Sequence, residues 1–155
     1  MNKTIYLGSD HAGFKLKEKV KQWLDKEKIV YEDLGNNKFD INDDYPDYAV
    51  KVARKVSKNK SKGILLCGSA EGMCIAANKN KGIRAVNPSN AILARLSREH
   101  NDANVICLSG GGTLKPIEGL SFLKTKKLIK IFLNTKFSKA KRHTRRLNKI
   151  KRLER

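Results

Sequence analysis

Short apolar segments and helix-like repeats alternate along the first 110 residues. Five segments are mostly apolar and short, which is typical of β-strands: residues 4–8, 29–31, 63–67, 83–86 and 104–108. Between them, apolar side chains recur at the spacing of a buried helix face. This second pattern predicts helices over residues 14–24, 45–56, 73–78 and 91–97.

Regular alternation of strands and helices predicts an α/β fold, because parallel strands need crossover helices between them. We expect a doubly wound parallel sheet of five strands in a Rossmann-like, three-layer α/β/α arrangement. In the helix that begins at Tyr45, the pattern predicts a buried stripe of Ala49, Val50, Ala53 and Val56.

After the glycines at 110–112 the pattern is helical from Pro116 to the end, with an interruption near residues 134–140. It predicts one helix of roughly 17 residues and a basic terminal helix. The length suits one domain, residues 1–155, in which 116–155 form a basic helical C-terminal extension.

Charge is concentrated at the C-terminus. Lys and Arg number 34 against 15 Asp and Glu, a net charge of +19. Residues 124–155 contain 14 of the basic side chains and one acidic side chain. Such a tail could bind nucleic acid through phosphates, but Phe132 and Phe137 are not interleaved in a way that would stack bases. We favour a solvated helix face and regard nucleic-acid binding as the weaker alternative.

The cysteines Cys67, Cys74 and Cys107 are too few and too scattered for a disulfide framework. Cys74 and Cys107 lie within apolar segments, so we expect them in the core. No Cys/His spacing is typical of a metal site, so neither a metal nor another cofactor is expected. Without a signal-like segment or an apolar run of roughly 20 residues, the chain is expected to be cytoplasmic and not to enter a membrane.

Candidate chemistry follows two predicted strands. In open parallel sheets, ligands bind beyond the carboxyl ends of the strands, where helix N-termini supply backbone N–H groups. Asp10-His11 follows the first strand, and the loop at 67–72 follows the third. Taken alone, the loop is more consistent with an ordinary strand-to-helix turn than with an anion site. A helix N-terminus would lower the pKa of the Cys67 thiol toward neutral.

Six blocks of the sequence then carry a specific resemblance. They are Gly8–Phe14 (GSDHAGF), 44–46 (DYP), 67–69 with 75–79 (CGS and IAANK), 82–85 (GIRA), 96–105 (LSREHNDANV) and 142–146 (RHTRR). In content and order they resemble the type B ribose-5-phosphate isomerases, closely over residues 3–110 and again at 142–146.

The resemblance implies a cofactor-free aldose–ketose isomerase of the pentose phosphate pathway. It would interconvert D-ribose 5-phosphate and D-ribulose 5-phosphate through an enediolate. Cys67 would be the base, assisted by the Ser69 hydroxyl, and His100 the acid that opens the sugar ring. The implied substrate-binding residues are Asp10, His11, Tyr45, Gly68, Ser69, Ala70, Glu71, Gly72, Asn101, Arg142 and Arg146. Within this set, the residues at 68–72 would form the anion hole, and the two arginines would bind phosphate.

Three features depart from the family pattern. Ala70 stands where the family has glycine, and Glu71 where it has a small apolar residue; the arginine often found after the fifth strand is also missing. Glu71 and the missing arginine leave open a six-carbon substrate such as allose or galactose 6-phosphate.

The implied roles place Cys67 and His100 at opposite edges of the sheet. Cys67 ends its strand, whereas His100 precedes the fifth strand. Five residues at about 3.3 Å each would separate the two edges by roughly 17 Å. We therefore expect a homodimer, or a tetramer, whose active sites are shared between subunits.

Overall fold

The computed structural model describes residues 4–112 and 118–154. Its strands are β1 (Ile5–Ser9), β2 (Tyr31–Asp33), β3 (Lys62–Cys67), β4 (Ala85–Val86) and β5 (Val105–Ser109). Its helices are α1 (His11–Lys26), α2 (Tyr45–Asn59), α3 (Glu71–Asn78), α4 (Ala91–Asn101), α5 (Phe122–Asn134) and α6 (Lys141–Lys151).

The strands form one parallel sheet in the order β2-β1-β3-β5-β4. Alternate side chains of each strand point to opposite faces, so Ile64 and Leu66 join one apolar cluster and Leu65 and Cys67 the other. Helices α1, α4 and α5 cover the first face, and α2 and α3 cover the second. The predicted five-stranded, doubly wound α/β architecture is confirmed.

The second strand is displaced from its predicted position. It spans Tyr31–Asp33 rather than residues 29–31, because Ile5 pairs with Tyr31 and sets the register. Val30, an apolar residue on which the predicted strand at 29–31 was based, is 59% exposed. Only Tyr31 of the predicted apolar run therefore belongs to the strand.

The buried stripe of α2 includes Val52, not Val50. Residues 49, 52, 53 and 56 follow the i, i+3, i+4, i+7 spacing of one helix face, which Val50 does not fit. Pro46 lies in the first turn of α2, as predicted.

The long C-terminal helix is shorter than predicted. It has 13 residues and begins at Phe122, where the Ser121 side chain accepts a hydrogen bond from the Lys124 N–H. This cap defines the start of the helix; the predicted start at Pro116 lies outside the described residues. The interruption before α6 is confirmed, and no helix in residues 4–112 or 118–154 is long and apolar enough to cross a membrane.

A close contact fixes the start of α1 against the end of β3. A Cβ atom added to Gly13 would lie 2.2 Å from the carbonyl oxygen of Leu66. Only glycine permits this approach of two backbones. It places Asp10 and His11, at the start of α1, beside Cys67.

Candidate active site

The predicted site residues fall into two groups at opposite edges of the sheet. The thiol half-site, at the carboxyl edge, contains Asp10, His11, Tyr45 and the loop 67–72. The histidine half-site lies at the end of α4 and the start of α6 and contains His100, Asn101, Arg142 and Arg146.

Cys67 is the last residue of β3 and is only 6% exposed. Burial raises the pKa of its thiol to about 12, and the charge of Asp10 together with a hydrogen bond to that carboxylate also raises it. Backbone amides of Ala70 and Gly68 donate toward the sulfur and act in the opposite direction, with smaller effect. The expected lowering of the thiol pKa toward neutral is therefore wrong for this chain, because burial and a neighbouring anion outweigh the amides.

Asp10 has two roles at this edge. Its buried carboxylate accepts a hydrogen bond of 2.9 Å from the Gly13 N–H and so caps α1. The same carboxylate lies within hydrogen-bonding reach of the Cys67 thiol. The Asp10 side chain thus connects the start of α1 to the Cys67 thiol.

The loop after β5 fixes the peptides that follow Cys67. The Cys67 carbonyl accepts from the Gly110 N–H (2.7 Å), and the Gly68 carbonyl accepts from the Ser109 hydroxyl (2.6 Å) and the Gly111 N–H (3.0 Å). In a trans peptide the N–H points opposite to the carbonyl. The amides of Gly68 and Ser69 therefore point away from the β5 loop.

Three residues of the predicted anion-hole loop have distinct surroundings. Ala70 adopts a left-handed conformation at φ 73°, which costs a non-glycine residue roughly 1 kcal/mol. The Ser69 hydroxyl accepts a hydrogen bond of 3.3 Å from the Glu71 N–H. The Glu71 carboxylate accepts from the Asn87 side chain at 2.8 Å, so its charge is held toward the chain that follows β4.

Tyr45 reaches the same loop from the start of α2. A Cβ atom added to Gly72 would lie 2.6–2.9 Å from atoms of the Tyr45 ring. Gly72 therefore provides the space that this ring occupies. Although they are 27 positions apart in the sequence, the structure brings Tyr45 and Gly72 together.

His11 is the first residue of α1 and is partly exposed. Its Nδ1 lies 2.7 Å from Oδ1 of Asp43, and its backbone N–H donates to the same oxygen at 3.0 Å. Asp43 belongs to the segment between β2 and α2. Sequence reasoning missed it, since only the folded loop brings it to His11.

The histidine half-site centres on two imidazole rings. The rings of His100 and His143 have centroids 4.2 Å apart. The Arg142 Nε–H donates to Nε2 of His143 at 3.1 Å, so Nδ1 bears the proton and donates to the Ser138 hydroxyl at 2.7 Å. Burial, then the charges of His100, Arg142 and Arg146, lower the pKa of His143.

His143 was not assigned a role from the sequence, although it lies inside the block 142–146. Its imidazole is buried, 4% exposed, and it holds Arg142 beside His100. The spacing of the two arginines by four residues puts both on one side of α6. The structure thus brings together His100 and the arginines that the sequence could associate only by resemblance.

The two half-sites of one chain do not meet. Cys67 pairs in register with Ser109 at the end of β5, whereas His100 lies on α4, before β5 begins at Val105. The four residue steps of β5 alone cover about 13 Å. This separation agrees with the expectation drawn from the topology.

A cavity of about 760 Å³ lies at the amino edge of the sheet, beneath α6. Its lining includes Lys62, whose pKa is lowered to about 8 by burial and by the charge of Arg98. The Lys62 ammonium donates to the Leu133 carbonyl at the end of α5 (2.6 Å). None of the predicted site residues lines this cavity. Among residues 4–112 and 118–154, no cluster of three His, Cys, Asp or Glu side chains could hold a metal ion.

This chain is similar to proteins of one known family. The model of the Ribose/Galactose Isomerase family matches residues 5–150. A ribose-5-phosphate isomerase B of Mycolicibacterium paratuberculosis is 39% identical, over 97% of this chain and 91% of the relative.

Two solved structures are also similar. The Clostridium thermocellum ribose-5-phosphate isomerase B has a TM-score of 0.89 at 35% identity, over 98% of this chain and 97% of its own. The Mycoplasma genitalium ribose-5-phosphate isomerase B, solved with bound ribulose-5-phosphate, has a TM-score of 0.88 at 41% identity, over 97% of this chain and 95% of its own. The chain belongs to the Ribose/Galactose Isomerase family.

Proposed function

We propose that this protein interconverts D-ribose 5-phosphate and D-ribulose 5-phosphate by moving a proton between C1 and C2. The main support is the pairing of Cys67 with Asp10 beside oriented backbone amides. A relative of known structure was solved with ribulose-5-phosphate bound. Cys67 and the residues at 68–72 would act on the sugar carbons.

The high pKa of the Cys67 thiol shapes this proposal. Burial and the Asp10 carboxylate favour the protonated thiol, so Cys67 needs a proton acceptor before it can act as a base. Transfer of the thiol proton to Asp10 would give a thiolate and a neutral carboxyl group, with no change in total charge. The thiolate then takes the proton from C2 of the open-chain aldose, the C2–H electron pair forms the C1–C2 double bond, and the carbonyl π electrons move to O1 to give the enediolate. A proton moves from O2 to O1, the C2 carbonyl forms, and the thiol returns its proton to C1.

The enediolate oxygen would be met by the loop after β3. The Ser69 amide points away from the β5 loop, and amides oriented before the reaction stabilise developing negative charge by several kcal/mol. Because Asn87 holds the Glu71 carboxylate, that charge need not oppose enediolate formation.

Phosphate binding and ring opening would come from a second subunit. Arg142 and Arg146 suit a phosphate group because each guanidinium can donate two parallel hydrogen bonds. They lie with His100 and Asn101 at the edge opposite Cys67. We propose a homodimer in which the histidine half-site of one subunit completes the thiol half-site of its partner; a two-fold axis would form two such sites.

We further propose that residues 1–155 form one isomerase domain that works in the cytoplasm. The three free cysteines are consistent with a reducing compartment. The basic side chains of α6 would then serve substrate capture and subunit contact.

A direct assay tests the proposed function. Purified protein should interconvert the two pentose phosphates without added metal, with a kcat/KM well above that for allose 6-phosphate or galactose 6-phosphate. Greater efficiency on a six-carbon phosphate would move the assignment to the other branch of the family. No turnover of any of these sugars would refute the proposal.

A further inference from the structure

The segment between β2 and α2 folds over the carboxyl end of β1 and seats an acidic side chain against His11. Oδ1 of Asp43 accepts the His11 backbone N–H at 3.0 Å and lies 2.7 Å from His11 Nδ1. The Asp43 side chain is 5% exposed, whereas that of His11 is 20% exposed. The carboxylate is therefore buried behind an imidazole that reaches the surface.

The second oxygen of Asp43 is also engaged. Oδ2 accepts from the Asn36 side chain at 2.7 Å, and the Asn36 Oδ1 accepts from the Ser9 hydroxyl at 3.2 Å. Tyr48 adds a further hydrogen bond to the same carboxylate. Asn36 is itself buried, and its backbone N–H donates to the Ser9 carbonyl of β1 at 2.8 Å. This network leaves Asp43 little freedom to turn away from His11.

The geometry determines which ring nitrogen is offered to a ligand. A carboxylate is only an acceptor, so the 2.7 Å contact requires the proton of neutral His11 to be on Nδ1. Nε2 is then the nitrogen that remains available to accept a hydrogen bond from a ligand. The Phe39 ring packs edge-on against the His11 ring, with the two ring centroids 6.3 Å apart. His11 follows Asp10 directly, so its ring stands at the same edge as Cys67.

We propose that Asp43 is a positioning residue of the isomerase: it holds His11 as the Nδ1–H tautomer and aims Nε2 at an oxygen of the sugar bound over Cys67. This proposal rests on the proposed function. A partner that fixes tautomer and ring angle typically changes activity by about 10- to 100-fold when it is lost.

The substitution Asp43→Asn tests it. Asparagine keeps the size of the side chain, but its NH₂ can donate to Nδ1 and so favour the opposite tautomer. We expect kcat/KM for ribose 5-phosphate to fall about 10- to 100-fold, with partial recovery in Asp43→Glu. The matched control is Asp47→Asn, an exposed carboxylate in the first turn of α2, which should keep wild-type kinetics.

A spectroscopic readout separates positioning from general damage to the fold. In ¹⁵N-histidine NMR at pH 8, wild-type His11, identified with His11→Gln, should show the Nδ1–H tautomer. Asp43→Asn should shift His11 toward Nε2–H while the signals of His100 and His143 stay in place. The wild-type spectrum tests the dyad even if Asp43→Asn does not fold.

Three results would overturn the inference. They are a wild-type His11 in the Nε2–H form, an Asp43→Asn protein with unchanged His11 signals, and a changed tautomer with unchanged kcat/KM. If the wild type lacked isomerase activity while the tautomer followed Asp43, the proposed function would fail, and the dyad would stand as structure without that role.

Discussion

At the carboxyl end of β3, the Cys67 thiol is subject to opposing influences. Burial and Asp10 raise its pKa, while two backbone amides lower it. The balance favours the protonated thiol, so the residue needs a proton acceptor before it can act as a base. Asp10 is the adjacent acceptor, and substitution of each of the two residues gives a test.

Replacement of Cys67 by serine should abolish most turnover. A serine hydroxyl is far less acidic than a thiol, so kcat should fall by several orders of magnitude while KM changes much less. Steady-state kinetics on ribose 5-phosphate would measure both. Near-normal turnover in Cys67→Ser would instead make Glu71 the preferred base, despite its hydrogen bond to Asn87.

Removal of the Asp10 charge should make Cys67 easier to ionise. Asp10 raises the thiol pKa, so Asp10→Asn should lower that pKa, increase the thiolate fraction at a given pH and speed alkylation by iodoacetamide. Asparagine can still cap α1, so the fold should be retained. Peptide mapping by mass spectrometry between pH 7 and 10 would follow Cys67 separately from Cys74 and Cys107. Equal or slower alkylation in Asp10→Asn would show that the carboxylate does not raise the pKa.

Among the secondary-structure elements, the sequence pattern predicted those with strong apolar periodicity. It did not predict element bounds that depend on contacts made only in the folded chain. The core strand β3 and the order of elements were predictable from apolar runs and their spacing. The position of β2 was not, because its register depends on pairing with Ile5 of β1. The start of α5 depends on the Ser121 cap rather than on the helical pattern upstream.

Some features of the candidate site could likewise be predicted from the sequence, and others could not. Cys67 and its loop could be placed at the carboxyl edge from the strand pattern alone. The contact of His11 with Asp43 could not, because a loop 32 residues away in the chain supplies the carboxylate. Nor could the thiol pKa be anticipated, since it depends on a burial that the sequence does not reveal.

The link between the β5 loop and the Cys67 loop gives an element-level test. Ser109→Ala removes the hydroxyl that donates to the Gly68 carbonyl. Loss of this hydrogen bond should raise the activation free energy by about 1 kcal/mol, which would lower kcat about fivefold. Ser57→Ala is the matched control, since that hydroxyl binds the Lys81 carbonyl at 2.8 Å, away from both half-sites. Both variants should lose similar thermal stability, but only Ser109→Ala should lose kcat. Unchanged kcat in Ser109→Ala would mean that the loop needs no such support.

In the whole molecule, the candidate catalytic groups and the cationic groups lie at opposite ends of the parallel strands. The acidic and thiol groups of the candidate site lie at the carboxyl edge, and the cationic groups lie on α6 and the end of α4. The basic side chains at the start of α6 thus lie at the edge of the sheet opposite Cys67 within one chain. A negatively charged sugar phosphate that needs both groups would have to bind where two subunits meet.

Mixed dimers test this central claim most directly. Cys67→Ser and His100→Leu subunits, each inactive alone, are dissociated, combined and reassociated, and heterodimers carrying two different tags are purified. If sites are shared, one site of each mixed dimer collects both lesions and the other collects neither, so activity should return to about half that of a wild-type dimer. Verified mixed dimers that remain as inactive as their parents would contradict the shared site.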